Sequence, residues 1–359
     1  MDDIFHKLKN FLDSIPNGFP TSESGVEIKI LKWIFSAEEA ELFMKLKMAF
    51  ETVEQIAART GLNSVYLNKM LPEMSAKKQL LSVSFAGTTV YRIFPYVFGL
   101  YEFQMPRMNK EIVELFEEYS ESAFAKEFYT RTPSFMKAIP IGIEVKNDSS
   151  IEPYESVISI IEGANSWAVR DCVCKKEKAI LTGKKCDKPM EVCMSFSVMP
   201  NAFDNDDTSR AITKEEAYAI IKMAEEEGLV HMTSNYKSGL FYICNCCKCC
   251  CHPLSKYVSL SKLAVAKSAY VAVVEEDLCA SCGTCIDRCQ AEAIDLNDTA
   301  SINKHCLGCG LCVSTCPSNA IRLVAREKED IPYVPENDNE WMELRAKQRG
   351  LSDDYKKLL

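Results

Sequence analysis

Two cysteine runs near the C-terminus restrict this chain more than any other feature. They read CASCGTCIDRC from Cys279 and CLGCGLCVSTCP from Cys306. Each is C-x2-C-x2-C-x3-C, the spacing by which thiolates grip a 4Fe–4S cubane. Three closely spaced cysteines reach three corners of one cube, and Gly283, Gly308 and Gly310 let the backbone wrap it. The fourth cysteine of each run lies on a segment leading away and serves the other cluster. That rule assigns Cys279, Cys282, Cys285 and Cys316 to one cluster, and Cys306, Cys309, Cys312 and Cys289 to the other. Zinc sites pair two C-x2-C knuckles instead, so two clusters are the expectation.

The stretch is also an internal repeat. CQAEAIDL after the first run matches CPSNAIRLV after the second, and the strand-like YVAVVEED and TASINKH precede the runs. Strand, cluster loop, short helix and strand, twice over, resembles the bacterial two-cluster ferredoxin domain across residues 268–326. The resemblance implies single-electron exchange through two 4Fe–4S clusters. One departure stands out: Gln290 sits where the pattern usually has proline. Proline there is a backbone device and not a ligand, so the loop's rigidity is affected and the cluster is not.

All 18 cysteines fall between residues 172 and 316. The N-terminus has no apolar core of signal-peptide type, and no apolar run reaches transmembrane length. A reducing cytoplasm is therefore expected, where clustered thiols mean metal and not disulfides; cluster chemistry suits an anaerobic host. The formal charge of −9 argues against bulk attraction to nucleic acid or anionic membranes.

Residues 1–16 read as an amphipathic helix ended by Pro16, Gly18 and Pro20. Then follow an apolar helical segment, a capping box at Ser36 and Glu39, a helix–turn–helix around Gly61 and a hairpin turning near Gly87. This order resembles a winged-helix domain. DNA binding is the function such a domain suggests, but the candidate reading helix, Asn63 to Met70, offers only Lys69 as a cation. Residues 1–105 carry eleven Lys or Arg against twelve Asp or Glu, without the basic footprint that phosphates require. A protein-docking or structural role is expected instead.

Residues 107–129 read as a polar connector helix, and AIPIGIEV as a strand. Cys172, Cys174, Cys186 and Cys193 then make a C-x-C-x11-C-x6-C set, with six lysines (Lys175, Lys176, Lys178, Lys184, Lys185, Lys188) crowding the loop. Thiolates beside ammonium groups bind metal readily; a zinc loop and a third iron–sulfur cluster both fit. The lysines are a solvated face, or alternatively a docking patch for an acidic redox partner. A helix capped by Thr213 and Glu216, stopped at Gly228, leads to a strand carrying His231, read as a structural residue. Trp167 is read as core.

FYICNCCKCCCHP follows, with six cysteines from Cys244 to Cys251. Cys244, Cys247 and Cys250 repeat a ferredoxin-like C-x2-C-x2-C, while Cys246, Cys249 and Cys251 point away in that register. The ten central cysteines suffice for one or two further clusters: two cubanes with two thiols spare, or a non-cubane or open-site cluster. Residues 327–359 read as a charged tail with one short helix near Trp341. The whole arrangement resembles ferredoxin-type iron–sulfur proteins of anaerobic bacteria and archaea, a resemblance that implies no established substrate.

The expected class is α+β. The expected domains are a winged-helix-like domain (1–105), a connector with a central α/β cysteine-rich domain (106–267), a two-cluster ferredoxin-like domain (268–326) and a tail (327–359). No G-x-G-x-x-G after a strand and no P-loop occur, so no flavin, NAD or ATP is expected. A chain rich in clusters without a two-electron cofactor reads as an electron-transfer subunit of an oxidoreductase rather than a self-sufficient enzyme, with a flavoprotein or dehydrogenase subunit as redox partner. A redox-responsive DNA-binding regulator and a reductase with substrate at an open central cluster are the alternatives.

Overall fold

The computed structural model describes residues 2–85, 87–140, 152, 155–204 and 206–359. Apolar residues at helical spacing begin the chain: the helix Asp2–Ser14 buries Phe5, Leu8 and Leu12. Helices Val26–Ile34 and Ala37–Phe43 follow. In the capping box between them, Glu39 N–H donates to Ser36 Oγ at 3.3 Å and Ser36 N–H donates to the Glu39 carboxylate at 2.7 Å. Thr52 and Gln55 cap the next helix, Val53–Thr60, in the same way. Gly61, at φ 70°, turns the chain into Ser64–Ala76. Strands β1 (Glu51–Thr52), β2 (Leu81–Phe85) and β3 (Thr88–Arg92) form a sheet in the order β1-β3-β2, with Gly87 at φ 81° in the hairpin.

The fold is mixed α+β and divides into two units: Met1–Phe128 with Met342–Leu359, and Tyr129–Trp341. The segment read from sequence as a connector belongs within the first unit. Its helix Lys110–Tyr119 buries Ile112, Val113, Phe116 and Tyr119, and Tyr119 packs on Phe19, Tyr96 and Phe124. Arg349, near the C-terminus, closes this unit by pairing with Asp13 at 2.7 Å and donating to the Ile15 carbonyl.

A seven-stranded sheet organises the second unit. Its strands are β4 (Met136–Ala138), β5 (Ser166–Asp171), β6 (Glu191–Ser197), β7 (Arg210–Ile212), β8 (Val230–Ser234), β9 (Tyr242–Cys246) and β10 (Val265–Ala266), in the order β10-β4-β8-β9-β6-β5-β7. Only the beginning of the expected AIPIGIEV strand appears in β4; Ile141 to Val145 lie outside the described residues. Alternation along β6 sends Val192, Met194 and Phe196 into the core and leaves Cys193 on the opposite face. Trp167 packs against the same core and donates its indole N–H to the Ile161 carbonyl at 3.0 Å.

The C-terminal part of this unit is the repeat foreseen in the sequence. β11 (Tyr270–Val274) pairs antiparallel with β14 (Ile321–Ala325), and β12 (Ile294–Leu296) with β13 (Ala300–Ile302). Short helices Thr284–Arg288 and Leu311–Ser314 follow the two cysteine loops. Corresponding residues share unusual backbone: Gly283 and Gly310 lie at φ 76° and 84°, Glu292 and Asn319 at 53° and 52°. Such positive φ values turn three cysteines inward within one short loop. Trp341 closes the unit, buried with its indole N–H on the Ser134 carbonyl at 3.0 Å.

Candidate metal centres

In the C-terminal repeat, Cys279, Cys282, Cys285 and Cys316 line one cavity, together with Gly283, Leu296 and Ile321. Cys289 neighbours the other set, Cys306, Cys309 and Cys312. Backbone N–H groups point at the sulfurs in matched pairs: Ala293 N–H to Cys289 Sγ at 3.3 Å, and Ala320 N–H to Cys316 Sγ at 3.2 Å. Gly308 N–H reaches Cys306 Sγ at 3.4 Å and Ala300 N–H reaches Cys279 Sγ at 3.5 Å. Donors of this kind stabilise sulfur-borne charge and tune cluster potentials. The two loops differ in burial. Cys306 is buried and Cys309 half-buried where their counterparts Cys279 and Cys282 are half-buried and exposed, while Cys285 and Cys312 are both buried. Burial pushes the Cys309 thiol up to about 12, whereas the Thr284 hydroxyl lowers Cys282. For Cys316 burial works upward, but donors from Ser318 and Ala320 outweigh it and leave the pKa below the usual thiol value.

The central cysteines group differently from their order in the chain. Cys186 does not stand with Cys172, Cys174 and Cys193; it meets Cys247, Cys249 and Cys250, and all four sulfurs lie within 4.8 Å of one another. Cys186 Sγ is 3.9 Å from Cys247 Sγ and 3.8 Å from Cys249 Sγ, and Cys249 is 3.7 Å from Cys250. A metal bound to four thiolates at about 2.3 Å has tetrahedral edges of about 3.8 Å, so this tetrad fits one thiolate-bound ion as it stands. It lies at the surface: Cys249 is exposed, and Cys186 and Cys250 are half-buried.

The other six central cysteines form a ring. Thiol contacts run from Cys172 to Cys174, on to Cys251, Cys246, Cys244 and Cys193, and back to Cys172. Strand register builds one side. Cys193 on β6 is the direct cross-strand partner of Cys244 on β9, and Cys246 lies two residues on, on the same face. Helix starts build the other side, because Cys172 caps Val173–Thr182 and Cys251 caps His252–Ser259. Buried Glu177 on the first of these helices holds His252 Nε2 on the second at 2.6 Å. Hydrogen bonds from Cys193 and Cys246 bring Cys244 down to about 6, and those from Cys174 and Cys246 hold Cys251 well below the usual thiol value.

Sequence spacing did not identify Cys246, Cys249 and Cys251 as members of these groups. Two signals carry the information: the alternation of YICNC puts Cys244 and Cys246 on one strand face, and Pro253 after His252 marks Cys251 as a helix cap. Of the six crowding lysines, Lys184 and Lys185 are exposed and Lys188 pairs with Glu227 at 3.2 Å. Lys175 departs from the expected solvated face, being buried with its ammonium donating to the Pro189 carbonyl at 2.6 Å. His231 is buried and bonded through Nδ1 to Asn245 Oδ1 at 2.6 Å, the structural role expected. His305 adjoins Cys306, and its carbonyl accepts from the Tyr257 hydroxyl at 2.8 Å.

Residues 284–327 match the family described as the LdpA Fe-S cluster-binding domain. The match spans Cys285, Cys289, Cys306, Cys309, Cys312 and Cys316. This is an iron–sulfur protein. Comparison with curated proteins and with solved structures found no match. Among the described residues of this iron–sulfur protein, no helix is long and apolar enough to cross a membrane.

Proposed function

We propose that this protein relays single electrons between redox partners, through two 4Fe–4S clusters in the C-terminal repeat and the centres of the central sheet. Cys279, Cys282, Cys285 and Cys316 hold one cluster and Cys306, Cys309, Cys312 and Cys289 the other; bound there, such clusters supply one-electron exchange. The supporting observation is a junction between two cysteine loops. Lys248, between Cys247 and Cys249 of the tetrad, donates its backbone N–H to Gln290 Oε1 at 3.0 Å. Its ammonium also lies 2.6 Å from the Glu292 carboxylate. Gln290 directly follows Cys289, so one hydrogen bond joins a loop that ligates the second cluster to the loop of the tetrad. Gln290 thus has a use that proline, the usual residue of the pattern, cannot supply. The donor and acceptor of the electron lie outside the chain, and a flavoprotein or dehydrogenase subunit is the partner class that the missing two-electron cofactor calls for.

Gln290→Pro in the anaerobically purified full-length protein tests the path. Iron and sulfide content should be unchanged, while stopped-flow reduction of the central centre by the reduced C-terminal clusters slows at least about tenfold, a barrier change near 1.4 kcal/mol. An unchanged rate with full iron content removes the junction from the path. Central centres that never change oxidation state at any potential overturn the relay itself.

The regulator reading finds little support in the first unit. The exposed side of Ser64–Ala76 presents Val65, 80% exposed, with Asn68 and the single cation Lys69. The intact holoprotein should bind duplex DNA only at the weak non-specific level. Sequence-selective binding at micromolar or tighter affinity in physiological salt would instead favour the regulator.

A further inference from the structure

The six-thiol ring asks for more than either simple metal site can use. A cubane takes four thiolates and a tetrahedral ion takes four. The tetrad meets that demand by itself, with its four sulfurs mutually within 4.8 Å. The ring is arranged otherwise: each thiol has two ring neighbours as partners, and the pairing closes on itself after six members. The six come from different elements, so neither local spacing nor one flexible loop accounts for their meeting. Cys172 and Cys174 flank the start of a helix, Cys193 sits on β6, Cys244 and Cys246 on β9, and Cys251 at a second helix start.

The two helix caps add a second, independent feature. Cys172 and Cys251 have nearly the same backbone, φ −71° and ψ 116° against φ −69° and ψ 119°, and each begins a helix of eight or more residues. Helix N-termini carry partial positive charge and favour thiolate over thiol. Cys172, Cys246 and Cys251 are buried while Cys174, Cys193 and Cys244 are half-buried. Six uncomplexed thiols so placed would be an oxidation liability in this setting. The Glu177–His252 contact locks the two cap-bearing helices together beside them.

We infer that Cys172, Cys174, Cys193, Cys244, Cys246 and Cys251 together hold one polynuclear iron–sulfur centre larger than a cubane, separate from the Cys186/Cys247/Cys249/Cys250 site. This rests on the reading of the central cysteines as metal ligands. Each thiol gives up its proton on ligation, and iron and sulfide are the components taken up. A cubane takes one thiolate at each of its four irons, so six ligands exceed what a single cubane can hold. The relay therefore ends at, or passes through, a centre with a capacity unlike that of the C-terminal pair.

The experiment is a set of single Cys→Ser variants of the full-length chain at all six ring positions, with Cys249→Ser for the tetrad. Iron, sulfide and zinc per chain and the Mössbauer spectrum are measured after anaerobic reconstitution. Each ring variant should lose or alter the same spectral component, with a loss of more than about four irons where the centre fails to assemble. Cys249→Ser should retain that component. The C-terminal cluster signals, kept in every variant, show that the chain still folds. Two silent positions among the six would mean a cubane with two spare thiols, and zinc filling the ring would mean a structural site; either result overturns the proposal. Loss of the same component in Cys249→Ser would mean one shared centre and would overturn it too. A component that needs all six thiols yet never changes with applied potential leaves this centre standing and sinks only the relay.

Discussion

The C-terminal repeat and the six-thiol ring of the central sheet both gather cysteines, and they do so by opposite means. In the repeat, three cysteines of each group lie on one short loop, and positive-φ residues at matched places turn that loop inward. Only the fourth member, Cys316 or Cys289, comes from the other half. In the central sheet the tetrad follows the same plan, three cysteines on the turn after β9 with Cys186 as the fourth, but no loop supplies three members of the six-thiol ring. Cross-strand register aligns Cys193 with Cys244, and helix starts present Cys172 and Cys251. A site built from one loop leaves its spacing in the sequence. One built from register and helix caps leaves only the periodicities of its elements.

Within the repeat itself the comparison can be broken at Gly308. A Cβ there would stand 2.1 Å from the Tyr270 carbonyl oxygen and 2.2 Å from Ser268 Oγ. Ser281 occupies the corresponding place in the first loop at φ 50° and bears a side chain without difficulty. Gly308→Ala should therefore cost more than about 4 kcal/mol in this region or prevent the Cys306 loop from closing. Iron analysis and EPR should show loss of that cluster. Ser281→Gly should change neither, and equal effects of the two substitutions would show that the halves are not packed differently.

The next largest effect concerns the exchange of fourth ligands. Cys316→Ser should damage the cluster of Cys279, Cys282 and Cys285, and Cys289→Ser that of Cys306, Cys309 and Cys312. Each loss is about four irons. EPR of partly reduced protein distinguishes the two clusters; damage confined to the run in which the substitution lies would reverse the assignment.

How much was legible follows from the same contrast. The repeat's strands, short helices and loop glycines could be read because spacing and turn chemistry act over a few residues. So could the Ser36 and Thr213 caps, the Gly61 turn and the Gly87 hairpin, which are set by local hydrogen bonds and φ. The sorting of the central cysteines could not. Reading every third residue from Cys244 follows a loop periodicity, whereas Tyr242–Cys246 is a strand whose period is two. The packing of Lys110–Tyr119 within the first unit was equally hidden, since its polar surface masked a buried stripe ending at Tyr119.

The two parts of the second unit are also tied by a buried ion pair, a third place to test their independence. Lys137 on β4 lies 3.0 Å from Glu155, both almost fully buried, and the other oxygen of Glu155 accepts from Ala269 N–H, just before β11. Burial lowers the pKa of Lys137, opposed by the carboxylate. Glu155→Gln removes the carboxylate charge from beside this buried ammonium and should cost about 3–5 kcal/mol in denaturant unfolding. Because the folded Lys137 then holds its proton less tightly than the unfolded one, the variant should regain stability as pH rises toward 10.5, the ordinary lysine value. A loss below about 1 kcal/mol would mean that the pair is not a tie between sheet and repeat.

The smallest expected effect is a pH dependence confined to the central sheet. His231 is 1% exposed; its Nδ1 is engaged by Asn245, and its Nε2 has no hydrogen-bond partner among the described residues. Burial lowers its pKa below the ordinary 6.5, and the hydrogen bond to Asn245 opposes that only in part. As pH falls through 6.5 the unfolded chain takes up a proton before the folded one, so this contribution to stability is full above that value and declines as pH drops toward the folded pKa. Asn245 lies between Cys244 and Cys246 on the strand, so its side chain and His231 occupy the face away from the six-thiol ring. His231→Gln keeps a hydrogen-bonding group for Asn245 but cannot titrate. Its unfolding free energy between pH 7 and 5.5 should therefore fall less steeply than that of the unsubstituted protein, with iron content equal in both. Parallel curves would show that the histidine takes up its proton at the same pH in the folded and the unfolded chain, so that it contributes nothing to the acid sensitivity of the central sheet.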